Sequence, residues 1–353
     1  LPPGVQPGED TALEVTALLS SIPALLILAS LTHAAEIDPA RLRRFSPLPA
    51  VIPSRTNPVT PAKTALGRML FYDTRLSRSR KLSCNTCHML DQYGVDLKSV
   101  SGGHNGQEGT RNSPSVYNAA GHFVQFWDGR APDVEQQAKG PVLNPVEMAM
   151  PDEASVVAVL KSIPGYVTAF KRAFPTEAVP VTFGNFAEAV GAFERQLVTP
   201  SRWDRFLKGD QAALTDAEKA GFNKFYDSGC ATCHSGTYLG GQMYQKAGVV
   251  KPWPNQSDTG RHMVTRRAED RMLFKVPSLR NVAKTPPYFH DGSVQSLEAA
   301  IRHMGEYETG RNLSPADTAS IAAFLRSLTG TIPAAFIQPP RLPASSPSTP
   351  KPK

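Results

Sequence analysis

The strings Cys84-Asn85-Thr86-Cys87-His88 and Cys230-Ala231-Thr232-Cys233-His234 hold every cysteine of the 353-residue chain. Each sets two thiols three positions apart with a histidine directly after the second. That spacing lets both thiols add across the vinyl groups of one porphyrin while the histidine meets the iron, the pattern of covalent haem c attachment. A redox disulfide needs only Cys-x-x-Cys and would leave the trailing histidine a coincidence twice over. A zinc centre would draw both strings around one ion, and strings so far apart in the chain do not make a compact zinc module. Two tethered haems are therefore expected, one on Cys84, Cys87 and His88, the other on Cys230, Cys233 and His234.

The chain is long enough for two domains with separate cores, and 41% hydrophobic and 20% charged residues describe a globular protein. The formal charge is +7, and residues 1–35 contain no Lys or Arg, so the basic character lies in the body. A basic body favours an anionic partner surface. Nucleic acid is not expected, because no Lys/Arg run is interleaved with aromatics. Ala17 to Leu31 is apolar but broken by Ser20, Ser21 and Pro23, too short for a span of ~20 residues. Thr32-His33-Ala34 then offers small residues where a signal peptidase cleaves, although no positive segment precedes the apolar run. Residues 1–34 are thus expected to be a signal peptide and the protein periplasmic, since bacteria attach haem c outside the cytoplasm.

Residues 45–61 carry five prolines and should run extended. Thr60-Pro61 predicts a helix start, with Leu66, Met69 and Leu70 on one face. From the first haem string to about Pro151 the chain reads as loops, which often carry function. Phe183, Phe186, Val190, Phe193 and Leu197 form one stripe of an amphipathic helix. Thr215-Asp216-Ala217-Glu218 is a capping box opening a helix toward the second haem string. Ser314-Pro315 starts a last helix, stopped near Gly330. No alternating strand run is evident. The expectation is an all-α fold of two cytochrome-c-like haem domains with long loops. Their bounds are 35–197 and 198–330, followed by a Pro/Ser-rich tail, 331–353, that reads as disordered.

The sixth iron ligand decides what a haem does: an open or releasable position admits an oxidant, whereas a thioether favours electron transfer. Eight His and eight Met leave that choice open on composition. The motifs go further. Gly102-Gly103-His104, Arg111-Asn112-Ser113-Pro114, Gln125 to Arg130, Gln137 to Pro141 and Val146-Glu147-Met148 follow the first haem string. Gly240-Gly241-Gln242, Pro277 to Asn281, Pro287 to Gly292 and Met304-Gly305 follow the second. In this combination, over roughly Leu48 to Gly330, the chain resembles the bacterial di-haem cytochrome c peroxidases.

The resemblance implies that His88 is the proximal ligand of a peroxidatic haem and His104 its releasable sixth ligand. The glycines around His104 suit a mobile loop; the alternative for His104 is an exposed loop residue, and the nearest rival ligand, His122 beside Phe123, reads as structural. Glu147 would move protons and Gln137 would position peroxide, against readings as a surface carboxylate and a solvated helix face. His234 and Met304 would ligate the second, electron-accepting haem, with Met243, Met263 and Met272 as competitors for Met304. Trp127 would relay electrons between the haems. Asn112, with carbonyls of Thr285 and Pro287, would hold calcium, which suits hard oxygen donors. The implied activity is cytochrome c peroxidase: hydrogen peroxide reduced to water by a homodimer fed by a small carrier, a c-type cytochrome or a cupredoxin. A MauG-like enzyme oxidising residues of a partner protein is the alternative, but the resemblance gives it Tyr where this chain has Met304. A non-catalytic electron carrier would need neither Glu147 nor Gln137.

Overall fold

The computed structural model describes residues 1–5, 8 and 36–352. The segment read as a signal peptide falls almost wholly outside the described residues. Residues 36–352 pack as one unit. The proline-rich stretch runs without regular structure to Thr60, whose hydroxyl accepts from Lys63 N and caps helix α1, Pro61–Tyr72. After the first haem string come α2 (Val134–Leu143), α3 (Glu153–Lys161), α4 (Pro164–Ala173) and α5 (Phe183–Glu194). Helix α2 lies inside the segment expected to be loop; Asp133 caps it, and Gly140 and Pro141 near its end had masked its pattern. Leu197, read as part of the α5 stripe, sits just past the helix end but is still fully buried.

The second half repeats the plan. The Thr215/Glu218 capping box opens α6, Asp216–Asp227; α7 spans Leu297–Met304, and Ser314 caps α8, Pro315–Ser327. In each half the helix before the haem string crosses the half's last long helix, α1 on α5 and α6 on α8, at a glycine. A Cβ on Gly67 would stand 1.9 Å from the Ala189 carbonyl oxygen, and one on Gly221 2.1 Å from that of Ser320. Only a residue without a side chain allows these crossings.

The fold is mainly helical rather than strictly all-α. Strands β1 (Tyr244–Lys246) and β2 (Leu273–Lys275) pair antiparallel, with Tyr244 opposite Lys275. Three-residue strands are too short to show alternation, which is why the sequence pattern misses them.

Two aromatic-rich cores result, one around Phe71, Tyr166, Phe170, Phe186 and Phe193, the other around Trp203, Phe222, Phe225 and Phe324. They do not divide the chain at a single point. Ile37 and Phe45, assigned by sequence to the first half, pack in the second core. Ile332, Phe336 and Ile337, assigned to the tail, pack on the first. The tail makes a short helical turn, Ala334–Ile337, and then runs extended, its carbonyls accepting from Arg68 and Tyr72 of α1 and from Arg75 just beyond it. Its apolar residues find cover there that their Pro/Ser-rich surroundings do not advertise.

Candidate haem sites

Both haem strings fold alike. Ser83 and Thr86 form a reciprocal cap that turns Cys84–Cys87 into one helical turn, and a 3-10 turn does the same for Cys230–Thr232. The backbone N–H of His88 donates to the Cys84 carbonyl at 3.0 Å, and that of His234 to the Cys230 carbonyl at 3.0 Å. Each histidine is therefore one turn from the first cysteine of its pair. The four cysteines are free and half-buried, not disulfide-bonded. Burial pushes the Cys84 thiol up to about 12 and that of Cys230 up to about 11, which disfavours the thiolates a zinc site or redox pair needs.

The imidazoles are oriented for metal. His88 Nδ1 lies 3.3 Å from the Gly94 carbonyl oxygen, and His234 Nδ1 3.2 Å from that of Leu239. A carbonyl only accepts, so each Nδ1 carries the proton and each Nε2 keeps its lone pair, the arrangement of a ligating histidine. Burial lowers both below the ordinary imidazole range, His234 to about 4, and so keeps them neutral. This donor set fits haem c in both strings.

His88, Cys84 and Cys87 line a cavity of about 570 Å³ that also exposes Gln137, Glu147 and Glu194. Gln137 projects from α2. Glu147 follows a turn in which Asn144 Nδ2 donates to its Oε1 at 2.8 Å. Burial raises the Glu147 carboxyl above the usual range, while the Arg130 charge and the Asn144 amide pull it down. A carboxyl raised in this way is better matched to proton transfer than a freely exposed one. His104 is buried, and its Nδ1 lacks a hydrogen-bond partner. It is not part of the cavity wall, whereas Gly102 and Gly103 beside it are. Its N–H lies 2.9 Å from the carbonyls of both Val146 and Glu147, and a Cβ on Gly103 would come within 1.9 Å of the Val146 carbonyl oxygen. The His104 loop thus leans directly on the segment bearing Glu147.

His234 and Cys230 line two adjoining cavities of about 180 and 320 Å³, and Met304 lines both. Met243, Met263 and Met272 line neither: Met243 and Met263 are exposed, and Met272 is buried against Trp253 and Phe274. His303, next to Met304, packs instead among Trp253, Phe289 and Tyr307. Helix α7 ends at Met304 and passes into a π-helical turn, Gly305–Thr309, a device frequent at functional sites.

Trp127 lines all three cavities, and its indole N–H donates to the Asn112 carbonyl at 2.9 Å. Asn112, Thr285 and Pro287 line one cavity together. The Asn112 amide nitrogen donates to the Lys98 carbonyl, and no donor reaches its side-chain oxygen among the described residues. No cluster of three or more His, Cys, Asp or Glu suited to a metal occurs among the described residues.

Two groups at these cavities escaped the sequence reading. Glu194, at the end of α5, is fully enclosed beside Cys84, and burial lifts its carboxyl to about 8, helped by the Glu135 charge and opposed by Arg195. Lys275 lines all three cavities and is 5% exposed. Neither belongs to a motif with chemical meaning, so no sequence signal would have found them.

A family model described as di-haem cytochrome c peroxidase matches residues 61–212, and one described as cytochrome c matches residues 219–329. The chain is 47% identical over 315 residues to the cytochrome c551 peroxidase of Pseudomonas aeruginosa, covering 87% of this chain and 90% of that one. It is 32% identical over 335 residues to the methylamine utilization protein MauG of Methylophilus methylotrophus, covering 90% and 96%. The fold also matches the crystal structure of a MauG-like protein associated with microbial copper homeostasis, with a TM-score of 0.71 and 29% identity over 86% of this chain and 96% of that one.

Proposed function

The chain belongs to the di-haem cytochrome c peroxidase family, and from that premise we propose how its residues divide the reduction of hydrogen peroxide to water between two haem sites. The observation that carries the reading is the inequality of the sites. Glu147 and Gln137 line the His88 cavity together, and Met304 is, among the described residues, the one methionine that lines the His234 cavities.

Haem c supplies the iron that binds and splits peroxide and the store of electrons for its reduction. The chain's residues control what reaches it. Cys84, Cys87 and His88 fix the peroxidatic group, and Cys230, Cys233, His234 and Met304 the electron-accepting one. Gln137 offers an amide to orient peroxide in the cavity. Glu147 hands a proton to the departing oxygen and is recharged from solvent through the Asn144 turn. His104 serves as the releasable sixth ligand, and its place outside the cavity wall supports release. Its contacts with Val146 and Glu147 would let loop movement and acid placement change together. Trp127, walling every cavity, suits an electron relay. Asn112, with the carbonyls of Thr285 and Pro287, suits calcium between the halves.

The domains we propose are those of the sequence, 35–197 and 198–330, exchanging their ends as described. The electron donor is a small c-type cytochrome or cupredoxin with an acidic docking face, and the working unit a homodimer. Covalent haem attachment supports a periplasmic site, and among the described residues no helix is long and apolar enough to cross a membrane. Met304 favours this chemistry over oxidation of a partner protein.

Two measurements test the proposal together: haem content per chain, and steady-state peroxide consumption with a reduced small cytochrome. One haem per chain, or two haems without peroxide consumption, sinks it.

A further inference from the structure

Lys275 ends strand β2, where its backbone N–H donates to the Trp127 carbonyl at 2.8 Å. Its ammonium is enclosed by protein at the wall shared by all three cavities. An ammonium has three hydrogens to place. Two acceptors approach, both at long range: the Val124 carbonyl oxygen at 3.3 Å and His122 Nδ1 at 3.4 Å. With Nδ1 accepting, the hydrogen of His122 sits on Nε2, which is shielded from solvent and has no partner. The pair therefore presents two donors in want of an acceptor.

Among the described residues no carboxylate lies within hydrogen-bonding distance of that ammonium. Asp128 is the one whose charge acts on Lys275, but it is already bound by Arg111 at 2.6 Å and Arg130 at 3.0 Å. Asp258 is likewise taken by Arg111 at 2.6 Å. Asp128 and Asp258 are thus both engaged by arginines, and neither is left for Lys275. A buried cation without a full partner is costly, so its surroundings must supply an anion when the protein is complete.

We propose that Lys275, assisted by His122, binds haem propionate carboxylates from both porphyrins and is a positioning residue shared by the two haems. The inference rests on the two-haem reading above. The shared wall supplies the reach, and a propionate is an acceptor-only anion that every haem c brings with it. A positive charge fixed beside both porphyrins disfavours the more positive ferric state, in a medium of low dielectric where such effects carry far. Lys275 therefore raises the reduction potential of both haems together.

The test uses the holoprotein with Lys275→Met and Lys275→Arg, a spectroelectrochemical titration of each haem, and resonance Raman bands of the propionate side chains. Lys275→Met should lower both midpoint potentials and shift the propionate bands. Lys275→Arg should keep both potentials while still shifting the bands, because a guanidinium replaces the ammonium. Unchanged potentials and bands in Lys275→Met overturn the proposal, and so does a shift confined to one haem. Should Lys275→Met fail to load haem, wild-type propionate bands in Lys275→Arg overturn it equally. None of these readouts needs peroxide turnover, so a failed peroxidase assay and a failed propionate site are told apart.

Discussion

Four carboxyls line the His88 cavity, and the surroundings of two of them, Glu147 and Glu194, give them different work. Glu147 keeps an amide partner in Asn144 and feels the Arg130 charge, so burial raises it without isolating it. Replacing it by Gln keeps shape and hydrogen bonding but removes the proton. Glu147→Gln should cut peroxide turnover by about 10²–10⁴ while both haems load normally, as judged by stopped-flow and absorption spectra. Glu194 is enclosed beside Cys84 and its carboxyl lies near 8, against an ordinary value of 4.5. An acid raised in this way stays protonated in the native state over a pH range where the unfolded chain has already lost the proton. Its contribution to stability is therefore full below 4.5 and declines as pH rises toward 8. Glu194→Gln has no such loss, so its stability relative to the wild type should grow by about 1–3 kcal/mol from pH 5 to pH 8, read from paired denaturation curves. A flat difference would show that Glu194 is ionised throughout.

Among the elements, the helix crossings decide how each haem string is presented. The residues facing the cores of α1 and α6 follow ordinary amphipathic spacing, but the depth of each crossing rests on one missing side chain. Gly221→Ala would drive a methyl into the Ser320 carbonyl and the Phe324 side chain. It should cost about 1–3 kcal/mol, and Gly67→Ala, against Ala189 and Phe193, a similar amount. Gly184→Ala on α5 is the control, since its nearest neighbour would be Thr182 Oγ1 at 3.8 Å; that variant should hold or slightly gain stability. Denaturant midpoints of the three variants measure this. The small sheet has a different part: β2 hydrogen-bonds to Trp127 and delivers Lys275 to the wall between the cavities.

In the molecule as a whole, the two halves are laced at both ends of the chain. Ile37 and Phe45 reach the second core, and the tail returns to the first. Phe336 seals the edge of that first core, its ring 5.4 Å from that of Phe193 and its carbonyl accepting from Tyr72. Farther on, the Pro343 and Pro350 carbonyls accept from Arg75 and Arg80. Ending the chain after Ile332 should therefore lower the melting temperature by about 3 °C, equivalent to about 2 kcal/mol at an unfolding entropy of ~2.1 cal/mol/K per residue. The spectrum of the His234 haem should be unchanged, because the tail touches the other half. Differential scanning calorimetry with absorption spectra of both haems checks both statements.

The sequence by itself determined what is written in local spacing. The haem strings, the Thr60, Thr215 and Ser314 caps and the core-facing stripe of α5 all depend on residues within a turn or two of each other, so their geometry follows from the chain's own stereochemistry. Glu147, Gln137 and Met304 could be named as candidate sites only because the motifs in combination resemble a family; their own local sequence left them open. Only the tertiary structure decided the rest. Glu194 and Lys275 sit in largely apolar stretches, and nothing nearby in sequence tells that the fold encloses them at a cavity. The exchange of Ile37, Phe45 and Phe336 between cores, and the glycine crossings, are likewise contacts between segments far apart in the chain. Their energy lies in apolar surface and backbone brought together across that separation, which a reading of one segment at a time does not contain.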